Sequence, residues 1–495
     1  MFEKILIANR GEISVRIMST CREMGIKTVA VHSEADKEAL HVLEANQTVC
    51  LGPAEPSESY LQMDRIISAA KQTGAQAIHP GYGFLSENPV FAQRCAQEGI
   101  IFIGPPAGVI RNLGNKTVAR QIMIKSDVPV IPGMMAAEQN HDILIKEADR
   151  IGYPVIIKAA AGGGGKGMRI VWSPEDFREA AVSAASEARS AFGNGDIYLE
   201  KYFEKSRHVE FQILADTHGN IIHLLERECS IQRRHQKIIE ETPSPALTPT
   251  LREAMGKSAV AAAKAAGYIN AGTVEFLLDE TGKFYFLEVN TRLQVEHPIT
   301  EMITGIDLVR QQIEIAAGSP LTLSQGDIVG RGHAIECRIY AEDPLNSFMP
   351  SPGKIHFVKE PRGGGIRNDC GIYSGYTVPM EYDPILSKLI THAEKRDDCI
   401  ERMIKALKSY IILGVLTPIP LLVDILSSES FRRGETFTDF MAVHFNGWKP
   451  APGNIGLAGL AYMADQISKH SIKKSLIPAE GLSPSPWLTL ANFRP

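Results

Sequence analysis

The segment VEFLLDETGKFYFLEVNTRLQVEHP (274–298) combines carboxylates, an amide and an arginine at strand spacing. Two β-rich runs flank the turn signal DETGK, and a turn centred between residues 281 and 282 sets Glu275 directly opposite Glu288. Opposed side chains have Cβ atoms about 4.5–5.5 Å apart, where two carboxylates repel unless a cation lies between them. Asn290 shares that strand face, and magnesium prefers such oxygen ligands. The hairpin predicts a magnesium site of Glu275, Glu288 and Asn290; two solvated glutamates on an edge hairpin are the alternative.

The alternation continues through Arg292, Gln294 and Glu296, provided that the strand persists toward Pro298. An arginine fork can hold a small planar oxyanion at two points. A carboxylate beside it can accept a proton from that anion. This stretch therefore predicts an anion site with a general base next to the metal site.

A glycine-rich run, AAAGGGGKGM (159–168), joins two predicted strands. Glycines permit positive φ and let successive backbone N–H groups approach phosphate oxygens, although the run lacks the Walker pattern. Lys158, directly before the run, and Lys116 are candidate phosphate ligands. A flexible linker with solvated lysines is the alternative interpretation.

The segment HVEFQIL places His208, Glu210 and Gln212 on one face of a half-buried strand. Such a face suits a nucleotide ribose and a catalytic cleft, and an ordinary solvated strand face is an equal alternative. The basic run QRRHQK includes His235 and Lys237, but by itself it is weak support for an anion site.

The bulk composition excludes several classes of protein. The chain has 495 residues, 44% of them hydrophobic, and a net charge of −5, which does not indicate a nucleic-acid partner. No apolar run reaches the roughly 18 residues of a membrane span, and the start lacks a secretory signal. The 7 cysteines are scattered and form no CxxC motif, which argues against a disulfide framework or a zinc site. We expect a cytoplasmic protein without nucleic-acid or membrane partners.

The elements that must position these residues alternate between strand and helix from the first residues onward. A predicted strand at 4–9 and a helix at 12–24 are joined by NRGEI, which is not the dinucleotide-binding fingerprint. This pattern predicts an α/β fold that opens with a doubly wound parallel sheet. A small α/β module with a glycine loop follows and is suited to act as a lid. The predicted boundaries are 1–114 for the N-terminal domain, 115–130 for a linker, 131–203 for the lid, 204–446 for a C-terminal α+β domain and 447–495 for an extension.

Several long segments resemble, in order, the motifs of biotin carboxylases of the ATP-grasp superfamily, from residue 1 to about 446. They are ILIANRGEIS, HPGYGFLSEN, KAAAGGGGKGM, LEKY, RHVEFQIL, RRHQKIIEETPSP and FLEVNTRLQVEHPITE. The resemblance implies an ATP-grasp lid and C-terminal domain, and carboxylation of biotin by bicarbonate and ATP through carboxyphosphate, with magnesium or manganese. It also implies a homodimer. Because no AMKM biotinyl-lysine motif occurs, we expect biotin to arrive on a separate biotin carboxyl carrier protein, with carboxyltransferase subunits as further partners.

The same resemblance implies roles for individual residues. Its ATP-binding positions are Lys116, Lys158, Gly164, Gly165, Glu200, Lys201, Tyr202, Phe203, His208, His235, Glu275 and Glu288. Its bicarbonate-binding positions are Lys237, Arg292, Gln294, Val295 and Glu296. Glu296 would be the base, Arg338 would stabilise enolised biotin, and Tyr82 would line the biotin pocket. Lys237, Arg292, Glu296 and Arg338 form the implied catalytic set.

Two other interpretations stay open at this point. One is a different ATP-grasp ligase, such as half of a carbamoyl-phosphate synthetase, and the other is an inactive subunit that only binds a carrier. The segment GVLTPIP (414–420) departs from the family's GVKTNIP-like pattern, and the tail from about 447 matches no carrier or carboxyltransferase domain. The final carboxyl acceptor is not indicated by the sequence.

Overall fold

The computed structural model describes residues 1–134, 136–160, 167–233 and 236–451. The chain divides into two compact units, Met1–Gly447 and Trp448–Pro495, and only residues 448–451 of the second are described. In the described part of the chain, no helix combines the length and the hydropathy that crossing a membrane requires.

A parallel sheet opens the chain, as the alternating pattern predicts. Its strands are β1 (Lys4–Ile7), β2 (Lys27–Ser33), β3 (Gln47–Gly52), β4 (Ala77–His79) and β5 (Ile101–Phe102). The helices of this part of the chain are α1 (Gly11–Glu23), α2 (Leu40–Glu44), α3 (Met63–Thr73), α4 (Pro89–Gln97) and α5 (Ala107–Gly114), and α6 (Lys116–Lys125), which follows them, packs instead in the core of the long antiparallel sheet described below. All strand pairs are parallel, in the order β3-β2-β1-β4-β5. This order, with β1 in the centre, confirms the doubly wound N-terminal sheet.

The loop after β4 holds a tyrosine in a fixed place. Asn9, two residues after the end of β1, donates its amide to the carbonyls of Pro80 and Tyr82 at 2.8 and 2.6 Å. Gly81 lies between them at φ +62°, and a Cβ there would be 2.8 Å from the Asn9 amide nitrogen. A larger residue at Gly81 would therefore disturb the contact that positions Tyr82.

A small antiparallel sheet with two helices follows. Its elements are α7 (His141–Ile151), β6 (Val155–Ala159), β7 (Arg169–Val171), α8 (Phe177–Phe192) and β8 (Ile197–Lys201). The strand order is β7-β6-β8, and both pairs are antiparallel. Val155, Ile157 and Leu199 are 0% exposed and form a core of this module with Phe177.

A long antiparallel sheet and its surrounding helices make up the remainder. Its strands are β9 (Ser206–Ala215), β10 (Ile221–Arg233), β11 (Gln236–Thr242), β12 (Asn270–Asp279), β13 (Phe284–Asn290), β14 (His333–Tyr340), β19 (Ile366–Cys370) and β21 (Ile385–Ala393). Short paired strands are β15 (Glu342–Asp343), β16 (Met349–Pro350), β17 (Gly353–Lys354), β18 (Phe357–Lys359), β20 (Thr377–Val378) and β22 (Ile411–Leu413). The helices are α9 (Pro249–Ala265), α10 (His297–Thr304), α11 (Leu308–Ala316), α12 (Arg396–Ser409), α13 (Ile419–Ser427), α14 (Glu429–Arg432) and α15 (Phe440–His444). The order of the long sheet is β13-β12-β9-β10-β11-β14-β21-β19.

The hairpin of β12 and β13 differs from the prediction in its turn but not in its key pair. Near the turn, Leu278 pairs with Phe284, so the turn is centred on residue 281, not between 281 and 282. A bulge then places the extra residue Leu287 on β13, and Glu275 pairs with Glu288 as predicted.

The alternation through Arg292, Gln294 and Glu296 required β13 to continue toward Pro298, and it does not continue. It ends at Asn290, and α10 begins at His297 with proline in its first turn. Proline lacks an N–H donor, so it suits the first turn of a helix and not the continuation of a strand. The residues after Asn290 therefore reach the site from a loop and a helix start.

Candidate functional site

One face of the long sheet carries a row of charged residues across four neighbouring strands. The register places Glu288 beside Glu275, Glu275 beside Glu210, and Glu210 beside Arg227. Glu210 and Arg227 are 0% exposed, and Arg227 Nε donates to Glu210 Oε1 at 2.6 Å. The opposite face of β9 is apolar, with Phe211 in the core under α9. The predicted alternation of HVEFQIL is confirmed, and its polar face forms the floor of the site.

Lys237 from β11 brings three carboxylates of this region together. Its Nζ donates to Glu210 Oε2 at 2.5 Å, to Glu296 Oε1 at 2.7 Å and to Glu275 Oε1 at 2.8 Å. Burial lowers the pKa of Lys237, but these three carboxylates outweigh burial and hold the pKa well above its ordinary value. Burial likewise raises the pKa of Glu275, but Lys237 and His208 outweigh it and leave that pKa well below its ordinary value. The cluster is therefore a charged one, with a cation at its centre.

Glu296 lies between two cations at the start of α10. Its Oε1 accepts from Lys237, and its Oε2 accepts from Arg338 Nη2 at 2.9 Å. Burial raises the pKa of Glu296, but the two cations outweigh burial and hold the pKa well below its ordinary value. Glu296 is thus ionised in this arrangement, and loss of either cation would raise its pKa.

Arg292 is held by oxygen atoms from three directions. It donates through Nη1 to Gln294 Oε1 at 2.7 Å and through Nη2 to Asn290 Oδ1 at 3.0 Å. Its Nε donates to Glu87 Oε2 at 3.0 Å, and Glu87 Oε1 accepts from the Thr291 backbone N–H. The N-terminal part of the chain thereby fixes an arginine of the predicted anion site, a contact that the sequence analysis missed.

The predicted metal-binding residues lie together, with further ligand atoms beside them. Glu288 is half-buried opposite Glu275, and Asn290 Nδ2 donates to Glu275 Oε1 at 2.8 Å. His208 Nε2 is 3.0 Å from Glu275 Oε2, and His208, Glu210 and Glu275 offer ligand atoms within 4.8 Å of one another. A donor set dominated by carboxylate oxygens fits a hard divalent cation such as magnesium or manganese.

Several of the residues predicted to meet a nucleotide lie on the strands of the small sheet and on α6. Lys158 on β6 donates to Glu200 Oε2 on β8 at 2.5 Å, so both reach the same space. Lys201 donates to the backbone carbonyls of 152 and 153 at 3.0 and 2.9 Å. Its side chain is therefore held by the backbone that leads into β6. Lys116 is the first residue of α6.

Aromatic contacts hold the two residues that follow β8. The ring of Tyr202 meets Trp172 edge-on, with centroids 5.9 Å apart. Phe203 stacks on Tyr285 of β13 at 5.0 Å, so the segment that follows β8 contacts the β12–β13 hairpin. Three of the predicted residues lie outside the described part of the chain: Gly164, Gly165 and His235.

A buried lysine connects the predicted biotin-pocket tyrosine with the strands of the sheet. The Tyr82 hydroxyl donates to Glu12 Oε1, and Lys388 Nζ lies 3.1 Å from Glu12 Oε2. Lys388 also donates to the carbonyl of Val295 at 3.1 Å and pairs across the sheet with Arg338. Neither Glu12 nor Lys388 was predicted, although a single lysine in the apolar strand ILSKLITHA was an available signal.

Models of known families match most of the chain. "Biotin carboxylase, N-terminal domain" matches residues 1–110, and "Biotin carboxylase C-terminal domain" matches residues 336–443. Between them, "Carbamoyl-phosphate synthase L chain, ATP binding domain" matches residues 115–324.

Curated relatives and solved structures cover about the same part of the chain. A pyruvate carboxylase subunit of Methanothermobacter thermautotrophicus is 55% identical over 90% of this chain and 91% of its own length. Biotin carboxylase 1 of Bacillus subtilis is 52% identical over 90% of this chain and 99% of its own length. The biotin carboxylase domain dimer of Hydrogenobacter thermophilus 2-oxoglutarate carboxylase, solved with MgADP, ADP and bicarbonate, superposes with a TM-score of 0.88 at 47% identity, covering 91% of this chain and 100% of that one.

Proposed function

Because the chain belongs to the biotin carboxylase family, we propose that it uses ATP and bicarbonate to carboxylate biotin. The observation that carries this proposal is the pair of cations on Glu296, with Lys237 on one oxygen and Arg338 on the other. A base between an anion-binding lysine and an arginine beside the Tyr82 pocket suits a reaction that passes from bicarbonate to biotin.

Nucleotide binding would use residues of the lid and of the β12–β13 hairpin. Lys116 and Lys158 would contact the phosphates, and Glu200 and the backbone of residues 201–203 would hold the adenine. His208 would also contact the nucleotide, as would Gly164, Gly165 and His235 by their positions in the sequence. Glu275, Glu288 and Asn290 would hold magnesium or manganese. The ion, when bound, supplies positive charge that offsets the negative charge of the phosphoryl group in transfer.

Bicarbonate would lie against Lys237, Arg292, Gln294 and the Val295 backbone. One bicarbonate oxygen attacks the γ-phosphorus of ATP, the bond to ADP breaks, and carboxyphosphate forms as Glu296 takes the bicarbonate proton. When Lys237 turns toward the bicarbonate, Glu296 loses a neighbouring cation, and its pKa rises at the moment at which a base is needed.

The second step would occur beside Tyr82 and Arg338. Carboxyphosphate separates into carbon dioxide and phosphate, and the phosphate removes the proton from the ureido nitrogen of biotin. That nitrogen attacks carbon dioxide, and Arg338 offsets the negative charge on the ureido oxygen. Closure of the lid over the site would keep water from the labile intermediate.

The partners follow from this half-reaction. We propose that biotin arrives on a separate carrier protein, that carboxyltransferase subunits pass the carboxyl group to its final acceptor, and that the chain forms a homodimer. The relatives support this assignment, since one belongs to a pyruvate carboxylase and another was solved as a domain dimer. A cytoplasmic location stays a prediction from the sequence.

Release of ADP by purified protein with bicarbonate and magnesium tests the proposal. We expect free biotin to stimulate ADP release, and Arg338→Gln to abolish the stimulation. Arg94→Gln is the matched control, because Arg94 is 40% exposed in a surface pair with Asp64. Release of ADP that follows an added amine and ignores biotin would instead favour a ligase of the carbamoyl-phosphate synthetase type.

A further inference from the structure

Two buried glutamates lie next to Arg338 on the strands β11 and β14. Glu240 of β11 and Glu336 of β14 are paired residues in the antiparallel register, and both are 0% exposed. Paired residues of this kind extend their side chains to the same face, with Cβ atoms about 4.5–5.5 Å apart. Two carboxylates at that separation repel each other, and burial strengthens the repulsion.

Within the described part of the chain, a hydrogen bond reaches only one of the four carboxyl oxygens. Glu240 Oε1 accepts from Arg338 Nε at 2.6 Å. Among the described residues, none donates a hydrogen bond to Glu240 Oε2 or to either carboxyl oxygen of Glu336. Buried polar atoms are nearly always paired, so this arrangement lacks a hydrogen-bond donor.

The charged groups around Glu336 do not supply that donor. Glu240 faces it from β11, Lys388 from β21, Arg338 from its own strand and Glu296 from the start of α10. Lys388 is bonded to the Val295 carbonyl and paired with a different glutamate, and Arg338 is shared between Glu240 and Glu296. Burial and then Glu240 raise the pKa of Glu336 well above its ordinary value.

Opposing effects on the pKa are more nearly equal at Glu240 than at Glu336. Burial raises its pKa most, Arg338 and Lys237 lower it, and Glu296 raises it, with a net pKa of about 7. A donor to its second oxygen would favour the ionised form and lower that pKa. A proton on Glu336 would supply such a donor.

We propose that Glu336 remains protonated at neutral pH, donates its O–H to Oε2 of Glu240, and thereby keeps Glu240 ionised as the positioning residue of Arg338. The Nε edge of the guanidinium is then fixed by Glu240, and the Nη2 atom is directed at Glu296. The link to catalysis rests on the proposed function, because only that function gives Arg338 a charge to offset.

Vibrational spectroscopy of the substrate-free protein tests the protonation state directly. We expect the wild-type spectrum near neutral pH to contain a carboxylic-acid C=O band that Glu336→Gln removes. Glu253→Gln is the matched control, because Glu253 is an exposed glutamate in an i,i+4 pair on α9, and it should leave the band unchanged. A Glu336→Gln spectrum that loses only a carboxylate band would overturn the proposal. This experiment needs no biotin carboxylation, so its result is independent of the proposed function.

Kinetics test the positioning role. Glu240→Gln should lower kcat/KM for biotin by about tenfold or more, since a neutral amide replaces a carboxylate on a guanidinium. Glu336→Leu removes the donor, so the acid limb of the kcat/KM profile should move to higher pH, and Glu336→Gln, whose amide can donate, should restore it. An acid limb that is the same in Glu336→Leu and the wild type would refute the role. If Glu336→Leu does not fold, the spectra of the glutamine variants decide.

Discussion

Lys237→Met should destabilise the ligand-free protein more than any exposed lysine substitution does. Methionine has a similar length but no charge, so the variant leaves Glu210, Glu275 and Glu296 facing one another around an apolar group. The Lys237 side chain is 12% exposed and makes three charge-assisted hydrogen bonds of 2.5–2.8 Å. Removing one partner from a buried ion pair costs about 3–5 kcal/mol, and we expect a loss in that range.

Urea unfolding followed by circular dichroism near neutral pH measures this loss. Lys257→Met is the control, because Lys257 is 75% exposed and pairs with Glu253 on the surface of α9. A surface pair of this kind contributes about 0.5 kcal/mol or less, so the control should unfold close to the wild type. Equal unfolding midpoints for Lys237→Met and Lys257→Met would refute the conclusion that Lys237 holds the carboxylates together.

Three further predictions concern the metal, the anion site and acid stability. Glu288→Gln should raise the magnesium concentration for half-maximal activity about tenfold, whereas Glu280→Gln in the exposed turn of the same hairpin should not change it. Glu87→Gln weakens the bond that holds Arg292 and should raise KM for bicarbonate about tenfold, with KM for ATP unchanged; an unaltered bicarbonate KM would contradict that positioning. Burial would raise the pKa of Glu241, but hydrogen bonds from a histidine and an arginine lower it from 4.5 to about 2. The contribution of Glu241 to stability is therefore present above pH 4.5 and lost as pH falls toward 2. Glu241→Gln should flatten the acid-unfolding curve. Parallel curves for the variant and the wild type would contradict this contribution.

The pairing of Glu275 with Glu288 could be predicted because it depends on a single hairpin and on local alternation. The bulge at Leu287 could not be predicted, because no residue there indicates an irregular strand. The bulge is needed because the turn is centred half a residue earlier than predicted. The prediction reached the correct pair through a register that is wrong near the turn.

Contacts between distant segments were less accessible to sequence reasoning. From the residues alone Lys237 was one member of a weak basic cluster, and only the family resemblance implied a role for it. It converges with Glu210 and Glu275 because β11, β10, β9 and β12 are neighbours in the sheet. The pairing of Glu240 with Glu336 likewise joins residues 96 positions apart in the chain through β11 and β14. Strand order is set by the packing of the whole sheet, and no local pattern specifies it.

The assignment as a biotin-carboxylating enzyme is tested most directly by the fate of the carboxyl carbon. Purified protein incubated with radiolabelled bicarbonate, magnesium, ATP and free biotin should transfer label to biotin, and Lys237→Met and Arg338→Gln should not. Label that stays in bicarbonate while ATP is cleaved by the wild-type protein would contradict the account.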